Sequence, residues 1–318
     1  MSINIPKGTG FALAACFIWG LDFVVPLFME GFSTIEIALG CYLTYGLLSF
    51  LIFSKKFLEG KFRYPSAIWM KALKFALICS IGYYMLVILS LRYATPAICT
   101  LILGVSPITI AFYGNWKQKE IRYRSLILPS LLIFLGLIAI NIPNVMNSSS
   151  PSTYFLGLFC GVWALGVWSY YVVTNAAFLK NNPQLDSKDW STLIGVCNLF
   201  WVLILGSSLI IFFSDHLNLQ RYLVLDPQIT NFIIGCCIFG LVFSWLGAYF
   251  WNKASVYLPI SLAGQLTIFE TLFGISFVYM LEQRFPHKLE FLGIAFLLAA
   301  IIYGIRISAQ AIKAKAVN

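Results

Sequence analysis

The sequence predicts an all-α membrane protein: ten transmembrane helices in two inverted five-helix repeats, with both termini cytoplasmic. Three observations predict it. Of 318 residues, 60% are hydrophobic and only 10% charged, and mean hydropathy is +0.87; a soluble chain carries about 25% charged residues. The apolar residues fall into ten runs of the length a bilayer core demands, roughly 20 residues per helix. Lys and Arg gather between alternate runs, the distribution that orients helices in membranes.

The ten expected spans are Thr9–Met29, Thr34–Phe53, Met70–Leu89, Thr95–Asn115, Leu126–Ile142, Tyr154–Val173, Thr192–Phe213, Thr230–Trp251, Val256–Leu281 and Leu289–Ile307. The first run is too long for the core of a secretion signal, so it reads as a retained helix. Ser33-Thr34-Ile35-Glu36 is a capping box that starts the second span and gives Glu36 a structural job. Pro143 is expected to close the fifth span, and the uncharged stretch to Ser152 reads as a linker at the chain's midpoint. The domain reading is therefore a first repeat over 8–142, a linker over 143–153, a second repeat over 154–307 and a basic cytoplasmic tail over 308–318.

Orientation follows from the cations. With the N-terminus inside and ten spans, 17 of the 21 Lys and Arg fall on the inner side, and Arg92, Arg221, Arg284 and Lys288 fall on the outer side. The same placement accounts for the net charge of +9 without a nucleic-acid partner. The eight cysteines all lie within apolar runs and read as small buried hydrophobes rather than as disulfides or zinc ligands. A phosphate-binding Gly-Lys-Ser/Thr loop is absent from the sequence, which excludes direct drive by ATP; a proton or substrate gradient remains. No cofactor is expected.

Five spans lie on each side of the linker, and an odd number per half inverts one half relative to the other. Pro96 and Pro107 are eleven residues apart in the fourth span, with Glu120 beyond; Pro259 and Glu270 repeat that spacing in the ninth, with Glu282 beyond. Each half then ends on a Gly-containing span, at Leu135-Gly136 and Leu292-Gly293.

The run from Leu91-Arg92-Tyr93-Ala94-Thr95-Pro96-Ala97 through Leu101-Ile102-Leu103-Gly104-Val105-Ser106-Pro107 to Glu120 resembles the fourth-helix signature of the drug/metabolite transporter superfamily, EamA type. Trp19-Gly20 is similar to that family's early Trp-Gly, and Leu262-Ala263-Gly264-Gln265 through Glu270-Thr271-Leu272-Phe273-Gly274 to Glu282 resembles the matching region of the second half. The resemblance covers nearly the whole chain as two repeats. It implies a central cavity, alternating access, and often export of amino acids and related metabolites across the cell membrane, the inner membrane if the source is bacterial. Two departures stand out. The arginine frequent early in the family's second helix is absent, with Cys41 near its place, and Lys119 and Leu281 replace the glycine before each helix-end acid.

Two acids lie deep in apolar spans: Asp22 in the first and Glu270 in the ninth. An ionised side chain there costs about 2.5–3.5 kcal/mol on insertion scales, so both are candidates for binding a cationic group or protons. The bland alternative is a neutral carboxyl bonded to nearby backbone. Trp19 lies one turn before Asp22. Tyr83, Tyr84, Trp163 and Trp168 lie mid-span, and Trp245 and Tyr249 are four residues apart on one helix face. Aromatic faces beside carboxylates suit an organic amine, although core packing explains any single one of them as well. Glu120 and Glu282 are candidate gate residues, or plain helix-end charges. The sequence therefore predicts a secondary transporter whose partners are a small-molecule substrate and the lipid bilayer. A membrane-embedded enzyme would need a polar catalytic cluster; His216 and His287, both in loops, supply none. A receptor or structural protein would need neither repeat nor buried acids.

Overall fold

The computed structural model describes residues 3–21, 29, 31–94, 99, 102–118, 122–146, 154–213, 221–222, 226–281, 283, 285–286 and 288–317. The regular elements among them are all helical: α1 (Ile5–Gly20), α2 (Thr34–Leu58), α3 (Ser66–Phe75), α4 (Tyr83–Tyr93), α5 (Ser106–Gln118), α6 (Tyr123–Met146) and α7 (Tyr154–Asn181) in the first part. They continue with α8 (Ser187–Phe213), α9 (Pro227–Ile238), α10 (Ala248–Tyr257), α11 (Ile260–Leu266), α12 (Ile268–Leu281) and α13 (Lys288–Val317). Among the described residues, eight stretches are long and apolar enough to cross a membrane.

The capping box forms as expected. Ser33 N–H donates to Glu36 Oε2 at 2.6 Å and Glu36 N–H donates to Ser33 Oγ at 3.3 Å, which satisfies two of the donors left open at the start of α2. Two boundaries differ from expectation. The helix of the fifth span continues past Pro143 to Met146, so the linker is shorter than 143–153. The ninth span is not one helix: α10 ends at Tyr257, Pro259 caps α11, and α11 gives way to α12 at Thr267. Seven cysteines are buried, but Cys237 faces outward.

Two spans change their winding midway. Between α3 and α4 the chain is π-helical over Ala76–Gly82, and between α9 and α10 it is π-helical over Phe239–Gly247. Such segments open the helical hydrogen-bond ladder by one residue and recur at functional sites. They occupy the third span of each half.

The chain divides into two compact units. The first comprises residues 1–20, 86–184 and 250–318; the second comprises 21–85 and 185–249. Each unit mixes both halves of the sequence. In the first unit, α6 crosses α13, α5 packs on α11, α1 on α12 and α7 on α5. Its core includes Ala12, Ile110, Leu137, Val172, Trp251, Leu262 and Leu297. Glycines set one close crossing. A Cβ at Gly136 would lie 2.9 Å from Gly293 O, and one at Gly293 would lie 2.6 Å from Gly136 O. Two backbones meet there with no room for a side chain on either. In the second unit, α2 packs along α8, and the π-segment Phe239–Gly247 lies on α2. Small residues of facing helices thus allow close backbone approach, as in other membrane bundles.

Candidate functional site

In the first unit the sequence-predicted Trp19 and Trp168 come together. Their rings meet edge-on with centroids 5.7 Å apart, and Trp19 also packs at 5.5 Å on Trp251, a residue the sequence reading did not single out. Tyr171 extends the cluster, 5.7 Å from Trp168. Trp251 is fully buried and its indole Nε1 has no hydrogen-bond partner among the described residues. Below it on α10, Asn252 accepts from Asn175 Nδ2 on α7 at 2.9 Å, both side chains fully buried. The Thr109 and Ser169 hydroxyls, from the fourth and sixth spans, lie 2.6 Å apart. A polar seam therefore runs through an otherwise apolar core beside the tryptophans.

Glu270 stands in the first turn of α12, just past the helix break. Thr267 makes that break: its hydroxyl donates back to Gly264 O at 2.6 Å, and its carbonyl accepts from Glu270 N–H at 3.0 Å. The carboxylate thus sits at the positive end of a half-helix dipole. Across from it on α1, Cys16 lies within electrostatic reach of Glu270 and donates its thiol hydrogen to Leu266 O at 3.5 Å. Trp19 follows Cys16 by about one helical turn. The first half has a counterpart: the helix breaks at Val105, with Pro107 in the first turn of α5. Pro107 has no N–H to give to the preceding turn, whereas Glu270 does, so side-chain hydroxyl bonding at Thr267 takes the place of a proline.

The second unit holds the other predicted aromatics. Trp245 and Tyr249 stack at 6.3 Å, as their spacing predicts. Trp245 Nε1 donates to Thr192 Oγ1 at 3.1 Å, and Lys188 Nζ lies 5.5 Å over the Tyr249 ring. Tyr84 packs on Tyr42 and on Phe239, at 6.0 and 5.7 Å; Tyr83 beside it is half-buried. Trp163 is the exception. It is 55% exposed and its ring contact is with Phe159, itself 58% exposed. One helical face of α7 is exposed there, and Trp163 stands apart from the Trp19–Trp168 cluster. Asp22, Glu120 and Glu282 lie outside the described residues.

One polar centre was not anticipated. Asp189, in the first turn of α8 and 7% exposed, ion-pairs with Lys56 at the end of α2 and accepts from Tyr64 OH at 2.8 Å. Burial and the Asp189 carboxylate raise the Tyr64 phenol above its ordinary pKa. Counted only as a charge, Asp189 merely cancels the neighbouring Lys188. Its position one turn inside a helix start was the signal that it had a job.

Residues 6–142 match the EamA-like transporter family. Over 311 residues the chain is 26% identical to inner membrane protein YtfF of Escherichia coli (strain K12), covering 94% of this chain and 95% of YtfF. A crystal structure superposes with a TM-score of 0.74 at 13% identity, over 96% of this chain and 98% of its own; at that identity the likeness is one of fold.

Proposed function

We propose that the chain, which matches the EamA-like transporter family over residues 6–142 and is similar to an inner membrane protein over most of its length, is a secondary transporter of the drug/metabolite type that exports amino acids or related small metabolites by alternating access. Ten spans in two inverted repeats, with both termini cytoplasmic, are part of the proposal. The lopsided Lys and Arg count supports the orientation. The pairing of α2 with α8, α5 with α11 and α6 with α13, each joining equivalent spans of the two halves, supports the repeat.

The observation that carries the substrate reading is Glu270 in the first turn of a broken helix, one helix away from Trp19. Ionised in a membrane span, such a group costs about 2.5–3.5 kcal/mol. The helix start returns about 0.3–1 kcal/mol. The shortfall calls for a proton or a cationic partner, and an ammonium group supplies the second. The tryptophan cluster offers rings to an apolar or aromatic body, and Trp251 Nε1 offers a free donor to a carboxylate. Asp22 shares the role from the first span, while Glu120 and Glu282 close the two ends.

The test is counterflow of a labelled amino-acid panel in proteoliposomes, with and without a pH gradient. Glu270→Gln is expected to cut transport at least about 30-fold, the ~2 kcal/mol floor for losing one partner of a buried charge pair, and to flatten the pH profile of what remains. Wild-type rates and an unchanged profile in a well-folded Glu270→Gln protein would remove Glu270 from the site.

A further inference from the structure

Within the second unit, an apolar groove of about 460 Å³ runs between α2 and α8, a volume in the range of roughly 300–1,000 Å³ typical of ligand sites. Leu39 and Leu43 form one wall, Leu203 and Ile210 the other, and Gly206 leaves the floor open. A Cβ built at Gly206 meets nothing within 4 Å. Ser207 also lines the groove, but its hydroxyl is turned back onto Leu203 O at 2.5 Å. The groove's other polar groups are at one end, where Glu36 and Tyr222 form the rim.

That rim is preorganised. Glu36 Oε1 accepts from Tyr222 OH at 2.6 Å while Oε2 accepts from Ser33 N–H at 2.6 Å. Arg221, beside Tyr222, is near enough for its charge to act on Glu36. It is held by Gly31 O at 2.7 Å and Gln228 Oε1 at 3.2 Å, with its guanidinium 3.6 Å over the Phe32 ring. Two of the five donors of a guanidinium are thereby used.

We propose that this groove is a binding site for a membrane aminophospholipid, with one acyl chain between α2 and α8, its ammonium on Glu36 and its phosphate toward Arg221. The groove is cut into two membrane-spanning helices, where the solvent is hydrocarbon. From Glu36 to Leu43 it extends about 10 Å along α2 at 1.5 Å per residue, so it grips the part of an acyl chain nearest the headgroup. The carboxylate, with the guanidinium within electrostatic reach of it, complements a zwitterion whose cation carries N–H donors. An anionic headgroup would leave Glu36 unmatched, and a choline headgroup has no proton to give it. The inference does not rest on Glu270 or on any transported substrate.

The experiment is native mass spectrometry of the purified full chain, exposed to equal phosphatidylethanolamine, phosphatidylglycerol and phosphatidylcholine. One phosphatidylethanolamine per chain is expected to be retained in preference to the others. Gly206→Phe, which fills the groove, should lower its retention about tenfold (about 1.4 kcal/mol). Gly166→Phe, at another position with open space around it, should not. Glu36→Gln should remove the preference over phosphatidylglycerol. Equal retention of all three lipids by the wild type, or unchanged retention in Gly206→Phe, overturns the proposal. So does a Gly206→Phe that dissolves a dimer and keeps its lipid, which would give the groove to a second copy of the chain. Should Gly206→Phe fold poorly, photo-crosslinkable phosphatidylethanolamine on the wild type decides. Adducts at Leu39, Leu203 and Ile210 support the site; adducts spread evenly over all spans refute it.

Discussion

Gly293→Ala probes the crossing of α6 and α13. The new Cβ would lie 2.6 Å from both Gly136 O and Ile140 Cγ1, where ordinary contact starts at 3.4 Å. The backbones must separate by the difference, about 0.8 Å, and overpacking of that kind costs about 1–3 kcal/mol. Alanine also gains about 0.5–1 kcal/mol over glycine in a helix, which would mask part of the loss. Gly166→Ala isolates that gain, since nothing lies within 4 Å of its Cβ. The difference between the two variants then reports the contact alone. It should amount to about a 5- to 150-fold shift in the unfolding equilibrium, read by SDS titration in mixed micelles. Gly136→Ala should be milder, since its Cβ meets Leu297 Cδ2 at 2.8 Å and Gly293 O at 2.9 Å. The double variant should cost less than the sum, because one separation relieves both clashes. A Gly293→Ala protein no less stable than Gly166→Ala would refute the backbone crossing.

Trp19→Ala should reduce transport strongly while Trp163→Ala leaves it within about twofold, because only the first belongs to the interior cluster; equal effects would undo that division. Asp189→Asn should loosen the α2–α8 end by about 1 kcal/mol, the worth of a largely shielded pair whose lysine can still reach solvent, and Lys56→Met should cost a similar amount; additive losses in the double variant would mean the two do not interact. Asp22→Asn should weaken transport less than Glu270→Gln, and Glu120→Gln and Glu282→Gln should slow turnover more than they weaken binding; rates equal to wild type would return both helix-end acids to surface charge. Cysteines near Lys56 and Lys119 should label from the cytoplasm and one at Ser149 from outside; labelling of the last two from one side would mean that the fifth span does not cross.

The helices were legible because hydrocarbon leaves little choice: a run such as Thr34–Phe53 must satisfy its backbone internally. The capping box at Ser33 was legible for the same local reason. The break at Thr267 was not. It depends on a hydroxyl reaching Gly264 O, and threonine in a span usually makes such bonds without interrupting the helix. Trp245 and Tyr249 could be paired from their spacing, but Trp19 with Trp251 could not, since that contact joins residues from opposite halves of the chain. Trp163 could not be told from Trp168 because mid-span position carries no information about which side of a helix is exposed. The amides Asn175 and Asn252, each just past the end of an expected span, were the overlooked sign of the polar seam.

The reciprocal glycine contact also bears on how the chain is made. Gly136 leaves the ribosome more than 150 residues before Gly293, and the same delay separates α2 from α8 and α5 from α11. While the second half is still being synthesised, α2, α5 and α6 wait in the bilayer with these partners absent and lipid filling the places of helices to come. Domains that fold during synthesis do so from the N-terminal end, but here neither half has a core of its own to complete. Assembly of this crossing is therefore held back until α13, which closes on Gly136, has emerged.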